Sequence, residues 1–381
     1  MKILVVTGSR ADWGLLAPVA TLLRDDPKFQ LILAVTGQHL VPGPQDSLSV
    51  ITKSGFDTSI QIDMKLSFDD APEALAAAMG RATAGLGAIA QKTNPDMMLV
   101  LGDRYEILAA VSAALLCKLP VAHLCGGDVT EGAIDDSIRH AISKMASLHF
   151  VTTIEAAQRV AQMGECPNNI YTVGSTGLDN IRETPALESG KLWGDLQLAV
   201  PKQSFLVTFH PATLSSDVAT QCDALIDALH AFPDATLIIT GSNADPDART
   251  IDKKMQRFAA QRDNAVFCTS LGSQRYYAAL RSVNVVIGNS SSGLYEAPSF
   301  DLPTVNIGDR QARRTRASSV IDCKADRESI VAAIQQSLTR DCQGTVNPYG
   351  DGHAARRIVD VLSCQSDPAE LIRKSFVDIA Q

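Results

Sequence analysis

Short apolar, β-branched runs alternate with amphipathic helical patterns along this 381-residue chain, and the alternation is played through twice. In the first half the spacing predicts strands at 2–7, 30–36, 97–101, 120–124, 147–151 and 170–173, with helical patterns between them, as over 72–91 and 104–116. In the second half strands are expected at 204–208, 235–240, 265–268, 283–288 and 303–306, and helices at 215–230, 246–262 and 274–281. Apolar strands separated by helices belong in a parallel sheet covered on both faces. Residues 174–203, between the halves, contain several Gly and Pro and few apolar runs, which places a junction there. A chain of this length is too long for one typical core. The expected organisation is therefore α/β, with Rossmann-like doubly wound domains at 1–174 and 175–365. Residues 366–381 carry Leu371, Ile372, Phe376, Val377 and Ile379 at helical spacing and are expected to form a C-terminal helix packing back across the junction. Doubly wound sheets bind ligands beyond the C-terminal ends of their strands, so an interdomain cleft is the expected site.

The charge balance narrows the partners. With 34 Lys and Arg against 42 Asp and Glu the net charge is −8. A protein that binds nucleic acid electrostatically needs a basic face, so no nucleic-acid partner is expected. An anionic ligand must then be held by local donors. Eight cysteines without a C-x-x-C pair and seven histidines without metal spacing offer no metal site. The chain enters a strand at Lys2 without a basic-then-apolar leader, and no apolar run reaches membrane-spanning length. A reduced, cytoplasmic protein with no membrane contact is expected.

The richest motif is Gly288-Asn289-Ser290-Ser291-Ser292-Gly293-Leu294-Tyr295-Glu296, directly after a buried strand pattern. Unpaired N–H groups at a helix start, serine hydroxyls and glycines together make a seat for phosphate. Glu296, about two turns further on, could accept hydrogen bonds from a ribose. A serine-rich strand-to-helix loop with an N-cap explains the same residues without a ligand. Other polar groups also follow strands: Gly8-Ser9-Arg10-Ala11-Asp12, Thr36-Gly37-Gln38-His39, Gly102-Asp103-Arg104, His123-Leu124-Cys125-Gly126-Gly127-Asp128 and Thr208-Phe209-His210-Pro211. Each alone reads as a cap or turn; five in register, with Arg, Asp and His among them, point to a site. On the helix predicted within 132–149, Asp135 and Arg139 share a face, as do Asp136 and His140. Ile134, Ile138, Ile142 and Met145 mark its packed stripe, and Asp135 is expected to face the cleft.

These motifs, with Asp135-Asp136-Ser137-Ile138-Arg139-His140-Ala141 and the Arg310-Gln311 loop, resemble in order the hydrolysing UDP-N-acetylglucosamine 2-epimerase family, of the sialic- and legionaminic-acid pathway type. The resemblance implies a GT-B architecture. It also implies elimination of UDP from C1 as a base removes the C2 proton, then addition of water with inversion at C2, giving UDP and a free N-acetylmannosamine-type sugar. No metal or other cofactor is implied; a homo-oligomer, dimer or tetramer, is. Carried over residue by residue, Asp103, Asp135 and His210 fall on catalytic positions. Arg10, Ser290, Ser291, Ser292 and Gly293 fall on diphosphate contacts, and Glu296 on the ribose contact. Gln38, His39, Arg139, Asn243, Arg310 and Gln311 complete the expected substrate-binding set.

One position departs. The family pattern His-x-Glu-Gly-Gly-Glu reads His123-Leu124-Cys125-Gly126-Gly127-Asp128 here, so Cys125 replaces a catalytic glutamate. A thiol with an ordinary pKa near 8.5 is a poor carboxylate substitute. Either Asp128, three residues on, takes over the role, or the proton transfers are divided differently among the remaining groups. The loop to Asp135, at Glu131 and Gly132, is one residue longer than the pattern. UDP-GlcNAc is the first expected substrate, and UDP-2,4-diacetamido-2,4,6-trideoxyglucose the alternative, because its sugar would suit a pocket with fewer carboxylates. A non-catalytic nucleotide-sugar-binding protein and a GT-B glycosyltransferase are the readings of another class.

Overall fold

A computed structural model describes the chain except residues 42–46, 67–70, 131–133, 189, 212–217, 243–247 and 379–381. The chain divides into two compact units, one made of Met1–Asn180 with Tyr349–Gln381, the other of Ile181–Pro348.

The first unit is built on seven strands: β1 (Lys2–Thr7), β2 (Gln30–Thr36), β3 (Ile60–Ile62), β4 (Met97–Leu101), β5 (Val121–Leu124), β6 (Leu148–Val151) and β7 (Ile170–Thr172). They run in the order β3-β2-β1-β4-β5-β6-β7, and every pairing is parallel. The central strands are apolar at nearly every position because both faces are covered. Val5, Leu99 and Phe150 pack with Trp13, Leu16 and Leu23 on one side, and Leu4, Met98 and Val100 pack with Leu86, Ile107 and Val111 on the other.

The second unit repeats the plan with β8 (Ser204–Thr208), β9 (Thr236–Thr240), β10 (Ala265–Cys268), β11 (Val285–Gly288), β12 (Thr304–Ile307) and β13 (Val320–Cys323). The order is β10-β9-β8-β11-β12-β13, again parallel throughout. In both sheets the order reverses beside the unit's first strand, between β1 and β4 and between β8 and β11. Such a reversal leaves the strand ends open to a ligand.

Four expectations are corrected. β3 and β13 were not foreseen; each is a short edge strand of three or four residues, partly exposed, with too little pattern to read. The helix Ala354–Ser363 lies in the first unit, where Ala354, Ala355, Ile358, Val359 and Leu362 join the core beside Trp13 and Leu16, so the second unit ends at Pro348 and not at 365. Asp179 fixes that return, accepting from the amides of Ala354 (3.1 Å) and Ala355 (2.9 Å) at the helix start. The tail is no helix: after a 3-10 turn at Pro368–Ile372 it runs irregularly along the first unit. Lys374 reaches the buried carboxylate of Glu165 (2.7 Å) and the carbonyls of Lys144 (2.6 Å) and Ala146 (2.5 Å), while Phe376 lies 4.6 Å from the Lys144 ammonium. These anchors prevail over the weak helical spacing. Finally, Ile134, assigned to the packed stripe, is 76% exposed as the first residue of its helix, whereas Ile138, Ile142 and Met145 do pack. Among the described residues no helix is long and apolar enough to cross a membrane.

Candidate active site

In the first unit the turn after β1 is organised by Asp12. Its carboxylate accepts from the amides of Gly8 and Ser9 (2.8 Å each) and from the Ser9 hydroxyl (2.9 Å), which closes a capping box on the helix Arg10–Asp25. Arg10 is thereby the first helical residue and exposed. A cation there opposes the helix dipole and does not stabilise the helix start. Gln38 is exposed at the end of β2. His39 is buried, and its two ring nitrogens are taken up by the hydroxyls of Thr7 and Ser47, both at 2.9 Å. It shapes the turn from within, a placement the sequence motif did not distinguish from a ligand contact.

The acidic residues gather around Arg139. Its guanidinium is buried, forms an ion pair with Asp103 just after β4, and donates to the Asp128 carbonyl (2.8 Å) and the Thr130 hydroxyl (3.0 Å). The expected face-sharing of Asp135 and Arg139 does not become an ion pair: Arg139 turns to Asp103 instead, with Asp136 at 3.6 Å. Asp136 also approaches His140 at 3.5 Å, as expected. Asp135 lies in the first turn of the helix Ile134–Met145. Partial burial, and then the charge of Asp103, raise its pKa, against the pull of Arg104 and Arg139. The two carboxyls therefore sit in unlike surroundings: Asp103 is ion-paired with Arg139, and Asp135 holds its proton more tightly than an ordinary aspartate. Asp128 accepts from Thr152 (2.7 Å). Cys125 follows β5 in the left-handed region at φ 64°, and burial, with Asp128 and Asp103, pushes its thiol well up, so it stays protonated.

One residue beside this cluster escaped the sequence reading. Glu106 is fully buried, its Oε1 2.5 Å from Arg104 Nε, and its Oε2 has no hydrogen-bond partner among the described residues. The signal available was Arg104 and Glu106 two apart, immediately after Asp103.

In the second unit Asn289, at the tip of β11, is the organiser, and it too was missed as a site residue. Its side-chain amide clasps the His210 peptide, accepting from the His210 N–H (2.7 Å) and donating to the His210 carbonyl (2.8 Å). Its own carbonyl accepts from Arg310 (3.2 Å) and Gln311 (2.8 Å). The preceding Gly288, at φ 137°, lies against β8: a Cβ there would sit 1.8 Å from the Thr208 carbonyl oxygen. His210 is buried, and burial, reinforced by Arg310, lowers its pKa to about 4, so the ring is neutral near pH 7.

The serine loop differs from the expectation in length. The helix is a single turn, Ser292–Tyr295, and Glu296 ends it. The Ser290 hydroxyl accepts from the Ser292 amide (3.4 Å). Tyr276 donates to the Ser292 hydroxyl, which also bonds Glu296. Glu296 Oε2 is sealed from solvent with no hydrogen-bond partner among the described residues, and burial raises the carboxyl's pKa. Glu296→Ala should weaken UDP and uridine binding alike by about 1–3 kcal/mol, the value of a hydrogen bond to a charged group, read by calorimetry. Equal affinity in the variant would place the nucleoside elsewhere. Gly293 lies buried beside Ser292, and Ser291 precedes the turn. Asn243 lies outside the described residues. No group of three or more His, Cys, Asp or Glu among the described residues could hold a metal ion.

Each unit thus gathers polar and charged residues at the ends of its strands. The model of the UDP-N-acetylglucosamine 2-epimerase family matches residues 21–363, and the chain belongs to that family. It is 36% identical over 323 residues to the GDP/UDP-N,N'-diacetylbacillosamine 2-epimerase (hydrolyzing) of Campylobacter jejuni, covering 84% of each chain. It is 32% identical over 374 residues to the UDP-N,N'-diacetylbacillosamine 2-epimerase (hydrolyzing) of Legionella pneumophila, covering 98% of each. The crystal structure of the Neisseria meningitidis UDP-GlcNAc 2-epimerase bound to UDP-GlcNAc superposes with a TM-score of 0.74 at 19% identity, over 95% of this chain and 99% of that one. The shared fold is the GT-B-like pair of doubly wound domains.

Proposed function

We propose that this protein is a hydrolysing 2-epimerase of a UDP-2-acetamido sugar, and that the sugar is the 2,4-diacetamido-2,4,6-trideoxyglucose of diacetylbacillosamine. The observation that carries the chemistry is the contrast between Asp103, ion-paired with Arg139, and Asp135, whose pKa is raised. Two carboxyls in unlike environments suit a base and an acid. In the reaction one carboxylate takes the C2 proton as the C1–O bond to UDP breaks, leaving the 2-acetamidoglucal. Water then adds at C1 and a proton returns to C2 on the opposite face, so the products are UDP and the free 2-epimerised sugar. Arg10, the Ser290–Ser292 loop and Arg310 supply donors and cations for the departing diphosphate, and Glu296 holds the ribose.

The choice of sugar rests on two supports. Both relatives reported above at over 30% identity carry diacetylbacillosamine in their names. Cys125 also replaces a carboxylate with a neutral thiol, and a pocket with fewer carboxylates suits a sugar that has lost the 6-hydroxyl and gained a second acetamido group. UDP-GlcNAc, the first expectation from sequence, is the second reading. The test offers both UDP-sugars in D2O with excess EDTA and follows UDP, reducing sugar and C2 by NMR. Turnover with deuterium at C2 is expected, faster on the diacetamido sugar. Product without deuterium would overturn the elimination, and binding without turnover would leave a nucleotide-sugar-binding protein.

If Asp128 has inherited the glutamate's role, Asp128→Asn lowers kcat by at least ~10²-fold with little change in KM. Cys125→Ser is then mild, and Cys125→Glu is tolerated and shifts preference toward UDP-GlcNAc. An inactive Cys125→Ser beside a near-normal Asp128→Asn would reverse the assignment.

A further inference from the structure

We propose that His123 is a positioning residue of the acid–base cluster, a strut that ties the Gly102-Asp103 turn to the Ile134–Met145 helix and so sets Asp103 against Arg139. The proposal rests on the reading of Asp103 and Asp135 as the acid–base residues.

His123 is fully buried on β5, between β4 and β6, in register with Val100 and His149. Its Nε2 lies 2.8 Å from the Gly102 carbonyl oxygen, and its Nδ1 lies 3.2 Å from the Ser143 hydroxyl. A carbonyl can only accept, so Nε2 carries the hydrogen. Nδ1, in a ring that bears a single proton, must accept from Ser143. Both contacts together permit one neutral tautomer.

The two partners are the elements that carry the pair. Gly102 immediately precedes Asp103, and its peptide is held twice from β5: its N–H donates to the Leu124 carbonyl (3.2 Å) and its C=O accepts from His123. Ser143 lies one helical turn beyond Arg139, which forms the ion pair with Asp103. The loop that follows β5 leaves room for the strut. A Cβ at Gly126 would sit 2.7 Å from Ser143 Oγ and 3.0 Å from His123 Nδ1, so any larger residue there would press on the contact. Burial and the neighbouring His149, Arg139 and His140 all disfavour a second proton, which keeps the strut in one state.

The test separates the strut from mere space filling. His123→Gln retains a donor at the Nε2 position, whereas His123→Ala removes it. His123→Ala should lower kcat by ~10²-fold with KM little changed, the cost of a small misplacement at the reacting centre, and His123→Gln should recover most of that loss. Equal losses in both variants, or a loss confined to KM, would overturn the proposal. Two measurements need no turnover. Long-range ¹H–¹⁵N spectra of the wild type should show the Nε2–H tautomer from pH 5 to 9. Exchange of the Gly102 amide should quicken in His123→Ala and not in His123→Gln. The Nδ1–H tautomer, or unchanged Gly102 exchange in His123→Ala, sinks the strut even if the wild type turns over neither UDP-sugar. Failure of turnover alone, with these signatures present, counts against the proposed reaction and not against the strut.

Discussion

Asp103→Asn is expected to lose ~10³-fold in kcat while KM stays within a few fold, because the carboxylate acts on the proton and not on the bound ground state. The substitution keeps shape and removes charge. It also strips Arg139, 5% exposed, of the nearer of its two carboxylate partners. The remaining partners are the Asp128 carbonyl, the Thr130 hydroxyl and Asp136 at 3.6 Å. A buried guanidinium left that way costs several kcal/mol of stability, so urea unfolding must accompany the kinetics. A paired variant, Asp103→Asn with Arg139→Gln, should recover stability and no activity. If Asp103→Asn turned over within tenfold of wild type, the proton would have to leave C2 by another group, with Asp135 the first to examine.

The second large effect is on stability in acid, and its source is again His123. Its folded pKa is lowered to about 3 from 6.5, chiefly by burial, with the Gly102 bond opposing and His149, Arg139 and His140 adding repulsion. As the pH falls through 6.5 the unfolded chain takes up a proton that the folded chain refuses. The stabilisation is therefore whole above 6.5 and is lost as the pH falls toward 3. The linkage is on the order of 4 kcal/mol over that window and roughly 2 kcal/mol by pH 5. His210, lowered to about 4, erodes stability over the upper part of the same range. Urea titrations at pH 7.5 and pH 5 should show wild type losing more than His123→Gln by about 2 kcal/mol. Identical losses in the two proteins would mean that the ring does not resist protonation.

The parts of this fold that could be read from sequence are those where one pattern repeats. Runs such as Leu4-Val5-Val6 and Val285-Val286-Ile287 are apolar at every step because sheets covered on both faces allow nothing else. The strand-end positions of Asp103 and His210 were legible for a related reason: both follow apolar runs that became β4 and β8, beside the reversal of strand order in each sheet. What stayed hidden depends on where side chains turn. Arg139 could pair with Asp135 along its helix or with Asp103 across the sheet, and spacing alone favours the first. Asn289 looks like part of a serine-rich loop until its amide is seen on the His210 peptide. Glu106 reads as an ordinary first-turn acid, yet it is sealed behind Arg104. The tail has a helical rhythm, but Lys374 has a buried carboxylate to reach, and long-range anchoring of that kind leaves no local trace.

The return of the chain to the first unit at Tyr349 has a consequence for synthesis. The second unit is an insertion: the chain leaves at Asn180 and re-enters at Tyr349. The Ser175 amide donates to the Tyr349 carbonyl at 2.7 Å, so exit and re-entry are neighbours. A nascent chain folds in domains as they emerge. Here the N-terminal half emerges first but cannot close its core, because Ile358, Val359 and Leu362, which pack beside Trp13 and Leu16, are among the last residues made. The inserted unit is continuous and can be finished earlier. The half that starts first is thus completed last, and until then it leaves the face of the Arg10–Asp25 helix uncovered, a surface that a chaperone would find on the ribosome-bound chain and not on the finished protein.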